Sequence, residues 1–178
     1  MGSEPWIEFY EACNARDPEA IKLIEDGRLG IDDLFAYGAP IHNTAGTNNA
    51  ELARQLLELG ANVNIAKPND GLTALHVAAG YNHVETARVL LAHGAEVNAR
   101  TVFAAGSEYT WGPHFGETPL HLACMFCGTD MVQLLLDAGA DRDARDGTSA
   151  KPFTYLFRKS WVKCEQDVDA MMVLFEKK

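Results

Sequence analysis

The sequence lacks any long run of apolar residues. None approaches the roughly 18 residues that a helix needs to cross a bilayer. The chain begins Met1-Gly2-Ser3-Glu4-Pro5, without the basic and then apolar segments of a secretory signal. Four cysteines among 178 residues are too few for a disulfide scaffold. We therefore expect a cytoplasmic protein, or a nuclear one if the source is a eukaryote, that does not bind membranes.

Basic residues are scarce. Lys and Arg together number 15 against 25 Asp and Glu, which gives a formal net charge of −10. This charge argues against electrostatic attraction to DNA, RNA or anionic lipid. Two interpretations stay open: the acidity is the ordinary composition of a solvated surface, or it forms an acidic face for a basic protein partner.

Motifs of catalysis and of cofactor binding are also missing from the sequence. It contains no phosphate-binding GxxxxGK[ST] loop, no GxGxxG, no HExxH and no GxSxG. Cys124 and Cys127 form a CxxC, but a zinc site needs a second pair of ligands at matching spacing. We expect these cysteines to pack in the core, and we predict no catalytic residues, no cofactor and no metal site.

What the sequence does contain is a repeat. Three stretches place a His 18 residues before a Gly that follows a leucine-rich segment: His42 and Gly60, His76 and Gly94, His121 and Gly139. A spacing held this rigidly is typical of one supersecondary unit stacked on copies of itself. Because the histidine recurs once per unit, we expect a structural role for it.

Residues 71–98 show how one unit should fold. Thr73 is a good N-cap for a helix that begins at Ala74, and Asn82 suits the left-handed position that ends this helix. Apolar residues then recur at three- and four-residue spacing, which predicts a second helix over about 84–93. The ring nitrogens of His76 are expected to tie one turn to its neighbour.

The segments Gly71-Leu72-Thr73-Ala74-Leu75-His76-Val77-Ala78-Ala79 and Gly116-Glu117-Thr118-Pro119-Leu120-His121-Leu122-Ala123 resemble the opening motif of the ankyrin repeat. The resemblance implies an all-α solenoid of stacked helix-turn-helix units with short β-hairpin-like fingers. It covers residues 1–178 as a single domain. Alignment on the motif gives five units, at about 6–32, 33–66, 67–100, 114–145 and 146–178, of which the first and last are degenerate caps.

The period breaks once, between the third and fourth units. His42 and His76 are 34 residues apart, whereas His76 and His121 are 45 residues apart. The surplus forms an inserted loop over 101–113, at the place where the family projects a finger. Its aromatic residues can either fold back onto the scaffold or face outward as anchors of an interface, and some rings can do each.

The resemblance implies a non-catalytic protein–protein interaction module, an adaptor or an inhibitor, monomeric on its own. Its partner would be another protein that contacts the concave face and the insertion at 101–115. The predicted contact residues are Tyr81, Phe103, Tyr109, Trp111, His114, Phe115, Glu117, Met125 and Phe126. The partner would be basic if the acidity reflects selection.

Other roles remain open from the sequence. One is an immunity-type inhibitor of a basic toxin or nuclease, and another is an accessory subunit of an enzyme. A third is the substrate of an asparagine hydroxylase, because Leu90 and Glu96-Val97-Asn98 are similar to the pattern hydroxylated in some ankyrin proteins. However, Asn98 is also a standard structural residue of the repeat, where it hydrogen-bonds the turn.

Overall fold

A computed structural model describes residues 4–35, 38–102, 115–126, 128–157 and 168–176. Within these ranges the helices follow one another in pairs. In the first pair, α1 (Pro5–Ala15) precedes a 3-10 turn (Pro18–Ile21) and α2 (Lys22–Glu25). The later pairs are α3 (Pro40–Gly46) with α4 (Ala50–Glu58), α5 (Ala74–Gly80) with α6 (Val84–Ala92), α7 (Pro119–Met125) with α8 (Thr129–Asp137), and α9 (Pro152–Tyr155) with α10 (Val168–Glu176).

The helices stack in two layers. The first-helix layer consists of α1, α3, α5, α7 and α9, each packed on the next, and the second-helix layer runs through α4, α6, α8 and α10. The segments between pairs are turns, and an isolated antiparallel bridge joins Phe35 to Gly38. The all-α solenoid predicted from the sequence is confirmed.

Local sequence explains where the helices begin and end. Proline occupies the first position of α1, α3, α7 and α9, where its fixed φ suits the helix and its missing N–H is not needed. After α3 and α5 the chain reverses through Asn48 and Asn82, whose φ angles are 53° and 57°. Asparagine tolerates this left-handed region better than most residues. The predictions for Asn82 and for the start of α5 at Ala74 are therefore confirmed, while α6 ends one residue earlier than predicted.

The core lies between the two layers and repeats from unit to unit. The three central units contribute large aliphatic side chains that are fully buried, among them Ile41, Leu56, Leu75, Leu90, Leu120 and Leu135. Small residues let the helices approach closely: Ala45, Ala79 and Cys124 occupy the same position of successive units and are all at most 1% exposed. Core packing of Cys124 is thus confirmed, and Cys127 lies outside the described residues.

In the part of the chain that the structure describes, no helix combines the length and apolar character needed to span a bilayer.

Candidate interaction surface

The recurring histidines link each unit to the next. In His76, Nδ1 accepts a hydrogen bond from the backbone N–H of Thr73 (3.2 Å), so Nε2 carries the ring proton and donates it to the carbonyl of Glu117 (3.2 Å). His42 and His121 repeat this geometry. Nδ1 of His42 accepts from the N–H of Ala39 (3.1 Å), and its Nε2 donates to the carbonyl of Leu72 (3.0 Å). Nδ1 of His121 accepts from the N–H of Thr118 (3.1 Å), and its Nε2 donates to the carbonyl of Ala150 (3.2 Å). The structural role predicted for them is confirmed.

His42 and His76 are neutral at physiological pH. Burial lowers the pKa of His42 and of His76 to about 4, because the charged form would be removed from water. In addition, the lysine ammonium of Lys67 acts on His42 in the same direction. Both ring nitrogens have hydrogen-bond partners, Nδ1 within its own unit and Nε2 in the next, so the rings serve as structural links between units.

Asparagines on the fingers make a second set of links between units. The side-chain amide of Asn64 donates to the carbonyl of Gly94 (3.1 Å), and its oxygen accepts from the N–H of Glu96 (2.8 Å). Asn98 does the same one unit later, with the carbonyl of Gly139 (3.2 Å) and the N–H of Asp141 (2.8 Å). Both polar atoms of the Asn98 side chain are therefore engaged in holding neighbouring fingers together.

Aromatic rings at the ends of two successive first helices face solvent. Tyr81 follows α5 and is 67% exposed, and Phe126 follows α7 and is 48% exposed. The Phe126 ring lies beside Gly80, since a Cβ on that glycine would be 3.9 Å from the ring. Tyr81 stacks on His83 with ring centroids 5.6 Å apart. With the half-buried Met125, Tyr81 and Phe126 form what we call the first-helix patch.

After the first unit, the first helices carry no charged side chains. The helices α3, α5, α7 and α9 contain no Asp, Glu, Lys or Arg. Charged residues lie instead on the second helices, where exposed Glu51 pairs with Arg54 (3.4 Å) and Glu85 pairs with Arg88 (3.6 Å). From the second unit onward, the first helices thus present uncharged side chains, whereas the second helices present charged ones to solvent.

The insertion leaves the scaffold from a hydrogen-bonded base. The N–H of Thr101 donates to the carbonyl of Glu117 (2.9 Å), and the N–H of Gly116 donates to the carbonyl of Thr101 (3.0 Å). The Arg100 guanidinium also donates to the carbonyls of Gly116 (3.2 Å) and Arg145 (2.6 Å). The two ends of the inserted segment are therefore fixed side by side, between the third and fourth units.

Comparison with known families agrees with this geometry. A family model described as ankyrin repeats in three copies matches residues 9–101, more than half of the chain. The chain belongs to the ankyrin-repeat family. A second family model, ankyrin repeats in many copies, matches residues 75–136. Ankyrin repeats are general protein–protein interaction modules, and the family is typically non-catalytic.

Individual ankyrin proteins show similarity of differing extent. Ankyrin repeat protein FPV230 of fowlpox virus (strain NVSL) is 22% identical over 169 residues, which span 83% of this chain and 89% of the viral protein. The ankyrin repeat, SAM and basic leucine zipper domain-containing protein 1 of Mus musculus is 38% identical over 68 residues, which span 38% of this chain and 14% of the mouse protein. Ankyrin repeat and SOCS box protein 11 of Danio rerio is 28% identical over 114 residues, which span 64% of this chain and 34% of the fish protein.

The described residues include part of the predicted contact set. Tyr81, Phe126 and the half-buried Met125 lie together in the first-helix patch, and Phe115, at the end of the insertion, is 55% exposed. The remaining insertion residues, Phe103, Tyr109, Trp111 and His114, lie outside the described residues.

The placement of Glu117 on the contact surface requires correction. Its side chain is fully buried, at 0% exposure. The physical reason is Tyr155 on α9, whose hydroxyl lies 2.5 Å from Oε1 of Glu117 and gives the carboxyl group a partner inside the protein. The contact role of Glu117 was carried over from the resemblance to the ankyrin motif, which gives no sign of this buried partner.

The sequence analysis also did not identify Asp146 as a buried residue. Its side chain is only 5% exposed and lies beside the hydroxyl of Tyr155. A signal for it was present. Asp146 accepts from the N–H of Thr148 (2.8 Å) just as Asp70 accepts from the N–H of Leu72 (3.0 Å), so both form the same Asp-Gly turn before a first helix. No pattern in the sequence indicates that the hydroxyl of Tyr155 reaches this turn.

A metal centre is not formed by the residues that the structure describes. Among them, no three His, Cys, Asp or Glu side chains are grouped closely enough to hold an ion.

Proposed function

We propose that this ankyrin-repeat chain is a non-catalytic adaptor or inhibitor that binds another protein through its first-helix patch and the insertion at 101–115. The observation that carries the proposal is the pair of exposed rings, Tyr81 and Phe126, on consecutive units of a scaffold whose core is closed without them. Exposed aromatic side chains grouped on a rigid surface are typical anchors of protein interfaces.

The partner segment that fits this patch is apolar. Because α3, α5, α7 and α9 contain no charged residues, burial of a Lys or Arg side chain against these helices would be unfavourable. An aromatic or aliphatic side chain would instead pack between Tyr81 and Phe126. Exposed Phe115 would extend the contact toward the insertion.

The net charge of −10 supports a second candidate, an immunity-type inhibitor of a basic toxin or nuclease. Such a partner would bind a different surface. Exposed acidic side chains are available on the N-terminal unit and on the second helices, for example Glu58, Asp130 and Asp137. Binding that weakens steeply with added salt would favour this candidate, because exposed charges are screened within about 8 Å at physiological ionic strength.

A double substitution tests the proposed surface. Tyr81→Ala with Phe126→Ala should abolish capture of the partners that the wild-type chain retains from a cell lysate, as identified by mass spectrometry. The matched control is Leu59→Ala, which removes an apolar side chain that is 50% exposed at the end of a second helix. All three proteins should unfold within a few degrees of one another.

Two results would contradict the proposal. If the double variant and the control retain the same partners as the wild type, the first-helix patch is not the binding surface. If the double variant loses several kcal/mol of stability, as buried large-to-small changes do, the rings belong to the core.

We further propose that the chain acts as a monomer in a reducing compartment such as the cytoplasm. Cys13 is a buried, free thiol. Burial raises the pKa of the Cys13 thiol to about 12, so the reactive thiolate is scarce and the residue serves as packing. A thiol maintained in this state fits a compartment in which disulfides are rare.

A further inference from the structure

An open cleft lies where the loop of the first unit meets the end of α4. Its volume is about 380 Å³, and its apolar lining comes from Ile24 on α2, Leu29 and Ile31 in the loop, and Leu59 directly after α4. Leu59 is 50% exposed, and Ile24 and Ile31 are half-buried. Binding pockets usually measure about 300–1,000 Å³. The cleft therefore has the size and the lining to accept a bulky apolar group.

The cleft exists because the first unit departs from the repeat at one position. The N–H of Leu29 donates to the carbonyl of Leu23 (2.9 Å), as the N–H of Ala61 donates to that of Leu56 (3.0 Å). Gly30, which follows Leu29, thus takes the place of residues that have side chains in the later units: Asn62, Glu96 and Asp141. The missing side chain leaves space beside Leu59, and both residues line the cleft.

Acidic side chains border this apolar lining. Glu25 lines the cleft directly, and the carboxylate of Asp33 accepts from the N–H of Gly30 (2.8 Å) at its edge. Exposed Asp26 and Glu58 each adjoin a lining residue in the chain. In the part of the chain that the structure describes, none of these four carboxyl groups forms an ion pair. They are therefore available to cations of another molecule.

The basic side chains of the same elements are engaged elsewhere. Each pairs with a carboxylate away from the lining: Lys22 with Glu19, Arg28 with Glu8, and Arg54 with Glu51. The border of the cleft thus attracts cations and repels anions, which disfavours nucleic acids and anionic lipids as occupants. An entirely apolar occupant would also fit poorly, because it would remove water from the carboxylates without giving them partners.

We propose that this cleft binds a segment of a partner protein in which one large aliphatic or aromatic side chain is flanked by Lys or Arg. The apolar side chain covers Leu59 and Ile31, and burial of this surface provides most of the affinity. The flanking cations pair with the bordering carboxylates and select the sequence. The cleft shares no residue with the first-helix patch. The inference rests on the second candidate function only for the sign of the partner's charge.

Selection from a library of random peptides tests which sequences the cleft accepts. The full-length wild type is the bait, and each selected peptide is then compared on the wild type and on Leu59→Ala. Peptides that depend on the cleft should carry a bulky apolar residue between Lys or Arg, and should bind Leu59→Ala about tenfold more weakly. Leu59→Ala should still bind the partners of the first-helix patch, because that residue is not part of it.

A pair of charge-removing substitutions tests the acidic border. Glu25→Gln with Glu58→Gln should weaken a selected peptide roughly two- to tenfold and make its affinity less sensitive to salt, as measured by isothermal titration calorimetry. The matched control is Glu96→Gln with Asp130→Asn, which removes the same charge from exposed positions of the third and fourth units. The control should bind the peptide as the wild type does.

Three results would overturn the inference: no selected peptide distinguishes the wild type from Leu59→Ala, the cleft-dependent peptides lack basic residues, or the variant with both glutamates replaced binds as the wild type does. Basic peptides that bind the wild type and Leu59→Ala equally would leave the second candidate function standing and remove the cleft from it. If a second copy of the chain is the occupant, sedimentation will show self-association that Leu59→Ala abolishes, and the choice of a partner protein will be wrong.

Discussion

At the scale of the residue, the solenoid depends on a few polar side chains that repeat. A histidine and an asparagine in a unit reach the backbone of its neighbour, so contacts between units include directional hydrogen bonds as well as apolar packing. The histidine works in this way only while it is neutral, because Nδ1 must accept and Nε2 must donate. This requirement couples the stability of the scaffold to pH.

Lowering the pH from 7 to 5 should destabilise the chain through these histidines. The folded-state pKa of His42 and of His76 is about 4, below the ordinary 6.5, so their stabilising contribution is complete above pH 6.5 and is lost as the pH falls toward 4. Each histidine should cost roughly 2 kcal/mol at pH 5, at about 1.4 kcal/mol per pH unit.

Denaturant unfolding at several pH values measures this effect. Replacement of buried His76 by Gln should reduce the slope of stability against pH between 6.5 and 4, whereas replacement of exposed His93 should leave it unchanged. An identical slope in the wild type and in the His76 variant would show that another group is responsible.

The finger asparagine leads to a separate prediction. Asn98→Ala removes two hydrogen bonds between units and should lower the free energy of unfolding by about 1–3 kcal/mol. Asn69→Ala, at an exposed asparagine on the preceding finger, should change it by less than about 0.5 kcal/mol. Thermal unfolding of both variants provides the comparison. Equal effects would argue against a structural role for Asn98 and would strengthen the hydroxylase-substrate alternative.

At the scale of the element, the helices are too short to be stable alone. The first helices α3, α5 and α7 have seven residues each, and isolated helices shorter than about 12 residues are marginal in water. Their stability therefore comes from packing on the next unit. Consequently, the effect on stability of replacing a glycine near the end of one of these helices depends on the space around that glycine.

Two glycines of the third unit should respond in opposite ways to alanine. Gly80 ends α5 with an ordinary conformation, and a new Cβ would meet the Phe126 ring at a comfortable 3.9 Å, so Gly80→Ala should stabilise by about 0.5–1 kcal/mol. Gly71 has a φ of 70°, and a Cβ there would lie 2.8 Å from the backbone nitrogen of Val102, so Gly71→Ala should destabilise by more than 1 kcal/mol. Calorimetric Tm values that move in the same direction for both variants would contradict this reading.

The helices of the regular units could be predicted from the sequence, and the contacts between distant segments could not. Thr73, Asn82 and the apolar spacing after it predict α5 and α6 because caps and periodicity are local signals. The buried contact between Glu117 and Tyr155 joins residues 38 positions apart and follows no periodicity. The same pattern that correctly placed Tyr81 and Phe126 at the surface therefore misplaced Glu117.

At the scale of the whole molecule, each unit contacts chiefly its sequence neighbours, so stability should vary along the solenoid. A substitution in a central unit can disrupt the contacts with the units on both sides of it. A substitution in the last pair, α9 and α10, acts mainly on the contact with the fourth unit. The position of a change should thus determine how much of the molecule unfolds with it.

Hydrogen exchange can distinguish these two behaviours. Leu75→Ala, at a fully buried position of α5, should cost about 2–5 kcal/mol and lower the protection of all units together. Tyr155→Phe removes the bridge between Glu117 and Asp146 and should cost about 1–3 kcal/mol. Protection should then fall in α9 while α5 remains protected. Uniform loss in the second variant would mean that the solenoid unfolds as one cooperative block.

The paired ends of the insertion have a consequence for how such a protein can diversify. Because Thr101 and Gly116 are hydrogen-bonded to each other, the segment between them can be lengthened or exchanged without moving the helices on either side. Closing a flexible loop of twice the length costs only about 0.6 kcal/mol more. The sequence between these two residues can therefore change during evolution, and with it the binding specificity, while the structure of the solenoid is kept.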